Sequence, residues 1–310
     1  MFGKLAINKE SHTLIVAEFS DGHEGDLEHA KKLVDAARAS GADVVKFQMH
    51  FPEVEMVPGV KMWAGDLQDI LKKVWFSPEK HVEIIRYCKE KGIQYLCTPF
   101  SPKAVDVLNE LGVDGFKTGS GEVYNLPFHR KIAKISGATG KPVFVSTGMC
   151  TMKELAETVS VYKEEGAHFM LMNCTSEYPI KDYTHVRLTL ISKLKRKFGV
   201  WVGQSDHTTD NYTGFASVAL GAKVIEKHFT LDRAGTFPDD FMSLDPGMMK
   251  DFVEGVRKIE AAFRHSSGRG SAINPRGSLP RDKKYSAELF GKKVKKDIPK
   301  NAILQWEDVG

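Results

Sequence analysis

The chain alternates short apolar runs with longer amphipathic segments over most of its length. Eight runs have the length and composition of buried strands, and they cover residues 14–17, 44–47, 95–97, 115–117, 143–145, 169–172, 200–202 and 223–225. Apolar runs this short, bounded by polar or glycine residues, are typical of strands in a parallel sheet that is covered on both faces. The pattern therefore predicts eight strands of the α/β class.

The segments between these runs carry apolar residues at helical spacing. Predicted helices cover residues 27–40, 78–91, 104–111, 152–165, 185–198, 212–222 and, last, 246–263. Several of them are followed by a glycine, as expected at a helix C-terminus, namely Gly41, Gly92, Gly112 and Gly166. Eight strand and helix repeats predict a (β/α)8 TIM barrel.

Polar or ionisable residues follow each predicted strand. They are Glu18, Lys46, Gln48, Thr98, Lys117, Ser146, Asn173, Thr175, His207 and His228. The C-terminal ends of the strands of a TIM barrel meet at one mouth, where the active site forms. These side chains are therefore the candidate site.

Two histidines occupy matched positions after the last two strands. His207 and His228 should leave the same edge of the sheet, so their imidazoles could share a divalent metal. A single histidine at such a position is more often a structural residue with a satisfied partner, and the matched pair favours the metal hypothesis. Asp232, Asp239 and Asp240 could complete the metal's shell.

Two lysines interrupt apolar strands, Lys46 in the sequence VVKF and Lys117 in GFKT. Burying an ammonium group is costly unless an anion meets it, so each lysine should pair with Glu18 or Glu226 or bind an anionic ligand. With the glycine-rich turns 118–121 and 146–148, the lysines could hold a small dianion carrying phosphate and carboxylate. A Schiff base, as in barrel aldolases, stays open as an alternative.

Composition narrows the class of protein. The chain has 310 residues, 42% hydrophobic, and its formal net charge of +4 comes from dispersed basic residues, so no nucleic-acid partner is expected. No apolar run approaches the roughly 20 residues that span a bilayer. The four cysteines form no CxxC pair, which predicts buried thiols without disulfides. We expect a cytoplasmic enzyme without a membrane partner.

A set of short motifs resembles one family. The motifs cover residues 15–18, 23–26, 45–48, 98–100, 116–122, 146–149, 174–179, 205–208 and 225–233. In this order they resemble the sialic acid synthase (N-acetylneuraminate synthase) family, which includes pseudaminic and legionaminic acid synthases. The resemblance extends over roughly residues 14–245.

The resemblance implies a metal-dependent condensation of phosphoenolpyruvate with an open-chain N-acyl aminosugar similar to N-acetylmannosamine, which gives a nonulosonic acid and phosphate. His207 and His228 would bind Mn²⁺, or Co²⁺ or Mg²⁺, and Glu18 would work beside the metal as a catalytic residue. The positions that match the phosphoenolpyruvate site are Lys46, Thr98, Lys117, Ser120, Ser146 and Ser205. Those that match the sugar site are Gln48, Tyr178 and Asp239. The resemblance also implies a homodimer.

The sequence departs from the family pattern at two loops and at the tail. Residues 19–25 replace an IGxNHxG-like stretch, and Pro238-Asp239-Asp240 replaces PDH. An acid at Asp240 facing the acceptor would favour a neutral, unphosphorylated aminosugar. The predicted organisation is a barrel domain over 1–265, a linker over 266–284 and a shortened antifreeze-like segment over 285–310.

Two other classes of function remain compatible with the residues. One is another barrel enzyme, either a 3-deoxy-ulosonate phosphate synthase or a Schiff-base aldolase. The other is a catalytically silent relative that keeps the sugar pocket.

Overall fold

The computed structural model describes residues 2–55, 57, 59–62 and 65–263, together with the single positions 293, 295 and 310. The chain divides into two units, Met1–Phe263 and Arg264–Gly310. The predicted linker and almost all of the predicted antifreeze-like segment lie outside the described residues. Within the described residues, no helix has the length and apolarity needed to cross a membrane.

The predicted (β/α)8 barrel is confirmed in the first unit. Its strands are β1 Leu14–Glu18, β2 Val44–Met49, β3 Gln94–Pro99, β4 Phe116–Thr118, β5 Val143–Ser146, β6 Phe169–Cys174, β7 Val202–Asp206 and β8 Val224–His228. Every paired neighbour is parallel, in the order β3-β2-β1-β8-β7-β6-β5-β4. Strands β3 and β4, at the two ends of this order, contact each other and close the ring.

One helix follows each strand around the barrel. The helices are α1 Leu27–Ala39, α2 Pro78–Lys91, α3 Pro102–Glu110, α4 Leu126–Thr139, α5 Met152–Glu164, α6 Thr189–Phe198, α7 Tyr212–Ala219 and α8 Pro246–Phe263. Between β2 and α2 the chain adds the short helices Pro52–Glu55 and Leu67–Lys73 and a small antiparallel pair, Lys61–Met62 with Gly65–Asp66. This insertion lies on the mouth side of β2.

Eight repeats require a helix after β4, but the bounds of this helix, α4, were not predicted from the sequence. His129 and Ser136 lie on its buried face beside Phe128 and Ile132, and these polar residues obscure the apolar spacing. A Cβ at Gly137 would collide with the backbone carbonyl oxygen of Glu165, so the helix packs closely where only glycine fits. The formation of α4 therefore depends more on tertiary packing than on an apolar repeat in its sequence.

Local signals set the helix starts. Ser77 and Ser101 accept hydrogen bonds from the first turns of α2 and α3, and a proline follows each serine at the first helical position. Thr151 and Glu154 form a reciprocal capping box at α5. Each cap stabilises its helix by about 1 kcal/mol. Together the caps set the residues at which these helices begin.

The inside of the barrel is built in layers by strand alternation. The lower layer is an apolar cluster of Phe2, Leu14, Val16, Val44, Leu96, Phe144, Met170, Met172 and Val224. The ring of Phe2 packs edge-on against Phe144 at 5.5 Å between centroids, so the N-terminal segment closes the lower end of the barrel. Because inward side chains recur every second residue, the next inward positions on these strands belong to the mouth.

Candidate active site

A cavity of about 370 Å³ opens at the C-terminal ends of the strands. Twelve of the predicted site residues line it, namely Glu18, Lys46, Gln48, Thr98, Lys117, Ser120, Ser146, Tyr178, Ser205, His207, His228 and Asp239. Asn173 and Thr175, which were also predicted from their positions at a strand end, do not line it: the Asn173 amide donates to the carbonyl oxygen of Val186 at 3.2 Å, and the Thr175 hydroxyl donates to that of His185 at 2.7 Å. Five further residues complete the lining: Ser20, Phe100, Gly119, Cys174 and Glu226. These twelve side chains therefore meet in one cavity at the strand ends.

Lys46 lies between two carboxylates. Its Nζ is 3.1 Å from Glu18 Oε2 and 3.1 Å from Glu226 Oε1, and it donates to Thr98 Oγ1 at 3.3 Å. Burial lowers the pKa of this ammonium, but the charges of Glu18 and Glu226 outweigh it and raise the pKa to about 12. Lys46 is therefore a fixed cation at neutral pH.

Lys117 also approaches the Glu226 carboxylate. Its Nζ lies 3.7 Å from Glu226 Oε1 and donates to Ser146 Oγ at 2.5 Å. Burial lowers the pKa of Lys117 although Glu226 opposes the shift. The structure thus pairs both lysines with nearby carboxylates, as one interpretation of the sequence predicted.

Glu226 lines the cavity, although the sequence named it only as a possible partner of the two lysines and not as a site residue. Burial favours its protonated form, but Lys117 and Lys46 outweigh burial and hold the pKa of Glu226 below its usual range. Ser205 also donates to Oε1 of this carboxylate at 2.9 Å. Glu226 comes two residues after the inward-facing Val224, so strict alternation along β8 could have identified it.

The two histidines face each other in the other half of the cavity. The ring centroids of His207 and His228 are 5.4 Å apart, and the half-exposed ring of Tyr178 lies 4.2 Å from His207. His207 Nδ1 is 2.7 Å from the carbonyl oxygen of Thr175, and His228 Nδ1 is 3.3 Å from Asp239 Oδ2. Both partners accept hydrogen bonds, so each Nδ1 carries the proton and each Nε2 keeps a lone pair.

This arrangement fits a divalent metal. Ligating histidines usually donate their second nitrogen to a carbonyl or carboxylate, which orients the ring and fixes the tautomer. Burial lowers the pKa of His207 to about 4, so the ring is neutral near pH 7. For His228, burial opposes protonation, but the hydrogen bond and charge of Asp239 raise the pKa. Metal binding at His228 Nε2 would therefore compete with protonation of that nitrogen.

The expectation that Asp232 and Asp240 complete the metal's shell is wrong. The oxygens of Asp240 accept from the hydroxyl of Thr230 at 2.7 Å and the backbone N–H of Phe237 at 2.9 Å, and Asp232 Oδ1 accepts from its own loop at 2.8 Å. Neither residue lines the cavity. No cluster of three or more histidine, cysteine or acidic side chains suited to a metal occurs in the described part of the chain. A metal held by two imidazoles would keep open positions for water or substrate.

The remaining additions to the lining come from positions with weaker sequence signals. Cys174 ends β6 two residues after Met172, and alternation places it inward. Ser20 and Phe100 follow their strands in loops, where no periodicity applies. All four cysteines are free thiols, as predicted, but only Cys88, Cys97 and Cys174 are buried, whereas Cys150 is partly exposed.

Fold and site together define a class: a (β/α)8-barrel protein whose mouth combines a lysine-based anion site with a histidine pair that fits a divalent ion. The chain matches the NeuB family over residues 33–267, and it belongs to that family.

Several relatives align with most of this chain. The N,N'-diacetyllegionaminic acid synthase of Campylobacter jejuni is 38% identical over 94% of this chain and 87% of its own length. Human N-acetylneuraminate-9-phosphate synthase is 33% identical over 94% of this chain and 81% of its own. A crystal structure of N-acetylneuraminic acid synthetase from Leptospira borgpetersenii superposes with a TM-score of 0.80 at 28% identity, covering 91% of this chain and 97% of that one.

Proposed function

We propose that the protein condenses phosphoenolpyruvate with the open-chain form of an N-acyl aminosugar and releases phosphate, forming a nonulosonic acid. One observation carries the proposal: a single cavity joins the Lys46 and Lys117 cations to the His207 and His228 pair. Membership of the NeuB family and the names of its relatives support the same reaction. The homodimer implied by the resemblance belongs to this proposal.

Phosphoenolpyruvate would bind at the lysine side. Its carboxylate and phosphate would be met by Lys46 and Lys117 and by hydroxyl donors from Thr98, Ser120, Ser146 and Ser205. A hydrogen bond to a charged group contributes about 1.5–3 kcal/mol to binding, so several convergent donors are enough to bind a small anion of this kind. Glu18 and Glu226 together already balance the charges of the two lysines, which limits how tightly an anion is held.

The enol carbon C3 attacks the sugar aldehyde carbon, and the aldehyde oxygen becomes an alkoxide. Water adds at the cationic C2 and gives one proton to the Glu18 carboxylate, which lines the cavity beside Lys46 and passes this proton to the alkoxide. The C2–O bond to phosphate then breaks, and the leaving phosphate takes the second water proton, so that the 2-keto acid and hydrogen phosphate remain.

The histidine pair would hold Mn²⁺, with Co²⁺ or Mg²⁺ as alternatives. Such an ion supplies Lewis-acid polarisation of the aldehyde oxygen when bound. His207 and His228 contribute neutral Nε2 donors, fixed by Thr175 and Asp239.

The acceptor would be an unphosphorylated aminosugar. Its side of the cavity contains Gln48, Tyr178, Glu18 and Asp239, and the only cations among the described lining residues are the two lysines assigned to phosphoenolpyruvate. Carboxylates accept hydrogen bonds from hydroxyl and amide groups and repel a phosphate. Asp240, which the sequence predicted to face the acceptor, does not line the cavity, because its carboxylate accepts hydrogen bonds from Thr230 and the backbone of Phe237.

The test is acceptor-dependent phosphate release. Purified protein with Mn²⁺ and phosphoenolpyruvate would be supplied with N-acetylmannosamine, its 6-phosphate or a dideoxy diacetamido hexose. We expect phosphate release with a neutral sugar and a kcat/KM at least about tenfold lower with the 6-phosphate, the equivalent of one lost interaction of about 1.4 kcal/mol. A preference for the 6-phosphate would reject the acceptor assignment, and no phosphate release with any sugar would reject the function.

A Schiff-base aldolase is the second candidate, because burial lowers the pKa of Lys117 and so favours the neutral amine that imine formation needs. Borohydride reduction in the presence of pyruvate separates the two. The condensation mechanism predicts no adduct on Lys46 or Lys117, whereas an aldolase would be trapped at one of them.

A further inference from the structure

His50 extends the inward-facing series of β2 beyond the strand itself. Lys46, Gln48 and His50 are two residues apart and therefore share a face. The imidazole of His50 is 8% exposed, and it stacks on the cavity residue Phe100 with 4.3 Å between ring centroids and 16° between planes. The indole N–H of Trp75 donates to the backbone carbonyl of His50 at 3.1 Å. The ring is thus held rigidly at the cavity's edge.

Both ring nitrogens of His50 have a polar partner. Nδ1 is 2.5 Å from Glu55 Oε1, and Nε2 is 3.0 Å from Gln48 Oε1. The Glu55 side chain is 2% exposed, and its second oxygen accepts from the backbone N–H of Phe51 at 3.1 Å. A buried carboxylate with these partners can only accept, so Nδ1 of His50 donates to it.

The amide of Gln48 fixes what the other nitrogen does. Gln48 Nε2 is 2.8 Å from Glu18 Oε1 and 3.2 Å from Ser20 Oγ. Because the Glu18 carboxylate only accepts, the amide NH₂ faces Glu18 and the amide oxygen faces His50. His50 Nε2 must then donate as well, and the ring is an imidazolium.

The charges around the ring are consistent with this protonation state. Burial lowers the pKa of His50, but Glu55 and Asp21, with a further contribution from Glu18, outweigh it and raise the pKa. Asp21 Oδ2 is 3.9 Å from His50 Nε2. These acids come from β1, from the loop after β1 and from the helix Pro52–Glu55, and each approaches the ring from a different element.

We propose that His50 and Glu55 are positioning residues that lock the Gln48 amide, and through it the Glu18 carboxylate, in the orientation used on the acceptor side of the reaction. The reversed amide would place its oxygen against Glu18 and its NH₂ against a ring N–H, with acceptor facing acceptor and donor facing donor. The proposal rests on the proposed function, since Gln48 and Glu18 are assigned there to the acceptor and to proton transfer.

His50→Phe tests this role because phenylalanine keeps the stack on Phe100 and removes both donors. We expect the KM for the acceptor to rise about tenfold while the KM for phosphoenolpyruvate changes less than about twofold, as expected from one lost hydrogen bond to a charged network. His12→Phe is the matched control, since His12 also pairs with a carboxylate, Asp43, but lies before β1 at the far end of the barrel. An equal rise in both KM values, or no rise, would overturn the proposal.

A double-mutant cycle asks whether His50 acts through Gln48. In a Gln48→Ala background, His50→Phe should add less than about a twofold change, because the amide to be oriented is absent. An undiminished effect of His50→Phe in that background contradicts the proposal. Glu55→Gln, which preserves shape, serves as the second variant if His50→Phe fails to fold.

A measurement without turnover separates this inference from the proposed function. Nitrogen-15 spectra of the histidine rings should show both nitrogens of His50 protonated at neutral pH in the wild type and only one in Glu55→Gln. A neutral His50 ring in the wild type overturns the inference even when phosphate is released. A protonated ring supports it even when no acceptor is found, in which case the proposed function alone fails.

Discussion

Two layers inside the barrel lie only two residues apart on the same strands and have opposite chemistry. Val16 is followed by Glu18 on β1, Phe144 by Ser146 on β5, and Val224 by Glu226 on β8. The lower layer is wholly apolar and is closed from below by the N-terminal segment. The upper layer forms the cavity. One step of strand alternation therefore separates the part of the barrel interior that stabilises from the part that reacts.

The two layers differ in how much they contribute to the free energy of folding. Fully burying a side chain such as Phe144 contributes about 1.5–3 kcal/mol. In the upper layer, Glu18, Lys46, Lys117 and Glu226 are all at most 4% exposed, and their mutual attraction has to offset the cost of removing four charges from water. Such networks are often no more stabilising than apolar residues of the same size. Their retention at the mouth is explained by ligand binding more readily than by stability.

The largest expected effect separates activity from stability at the histidine pair. His207→Ala or His228→Ala should lower kcat/KM at least about a thousandfold, which corresponds to about 4 kcal/mol of barrier, while the melting temperature changes little. Chelation of the wild type should have the same effect, and Mn²⁺ or Co²⁺ should reverse it. Both variants keeping wild-type rates after chelator treatment would show that the histidines hold no catalytic metal.

Truncation in the lower layer should do the reverse. Phe144→Ala leaves a cavity against Phe2 and should lower the free energy of unfolding by about 3 kcal/mol, whereas kcat/KM for folded protein should stay within about threefold. Phe263→Ala is the matched control, because that ring is 60% exposed at the end of α8, and it should change stability by less than about 0.5 kcal/mol. Denaturant unfolding monitored together with initial rates measures both quantities. If Phe144→Ala instead lowers kcat/KM of the folded protein by much more than threefold, the lower layer contributes to activity as well as to stability.

Much of this architecture could be predicted because the signals are local. Eight apolar runs predict eight strands, and the rule that active sites form at strand ends places Lys46, Lys117, His207 and His228 together. The assignment of Ser120, Tyr178 and Asp239 needed the family resemblance, since Ser120 lies in a single 3₁₀ turn and the other two lie outside helices and strands, where no apolar period identifies a site residue.

The misses have long-range causes. Asp240 was expected beside the acceptor, but Thr230 and the backbone of Phe237 draw its carboxylate into the loop. The bounds of helix α4 were not predicted, because buried polar residues interrupt its apolar spacing and it packs closely against the chain at Gly137. The role of Glu226 as the shared partner of both lysines depends on three strands, β2, β4 and β8, meeting at one point. Residue spacing within one strand does not encode such a meeting.

The smallest effect asks whether the two lysines of the upper layer are equivalent. Lys117→Met leaves Glu226 with Lys46 at 3.1 Å and the Ser205 hydroxyl at 2.9 Å, so folding should be affected little. Lys46→Met removes the close cation of both Glu18 and Glu226 and should melt at the lower temperature of the two variants. Both should bind phosphoenolpyruvate about thirtyfold more weakly, the equivalent of ~2 kcal/mol for one lost charged hydrogen bond. Titration calorimetry with phosphoenolpyruvate, compared with thermal melting, measures the two effects separately.

Lys227→Met is the control, because Lys227 is a buried lysine paired with Asp206 outside the cavity lining, and its loss should lower the melting temperature without weakening phosphoenolpyruvate binding. If Lys117→Met melts below Lys46→Met, or if neither variant binds phosphoenolpyruvate more weakly, then the charges at the mouth serve the fold, and the contrast between the two layers is wrong.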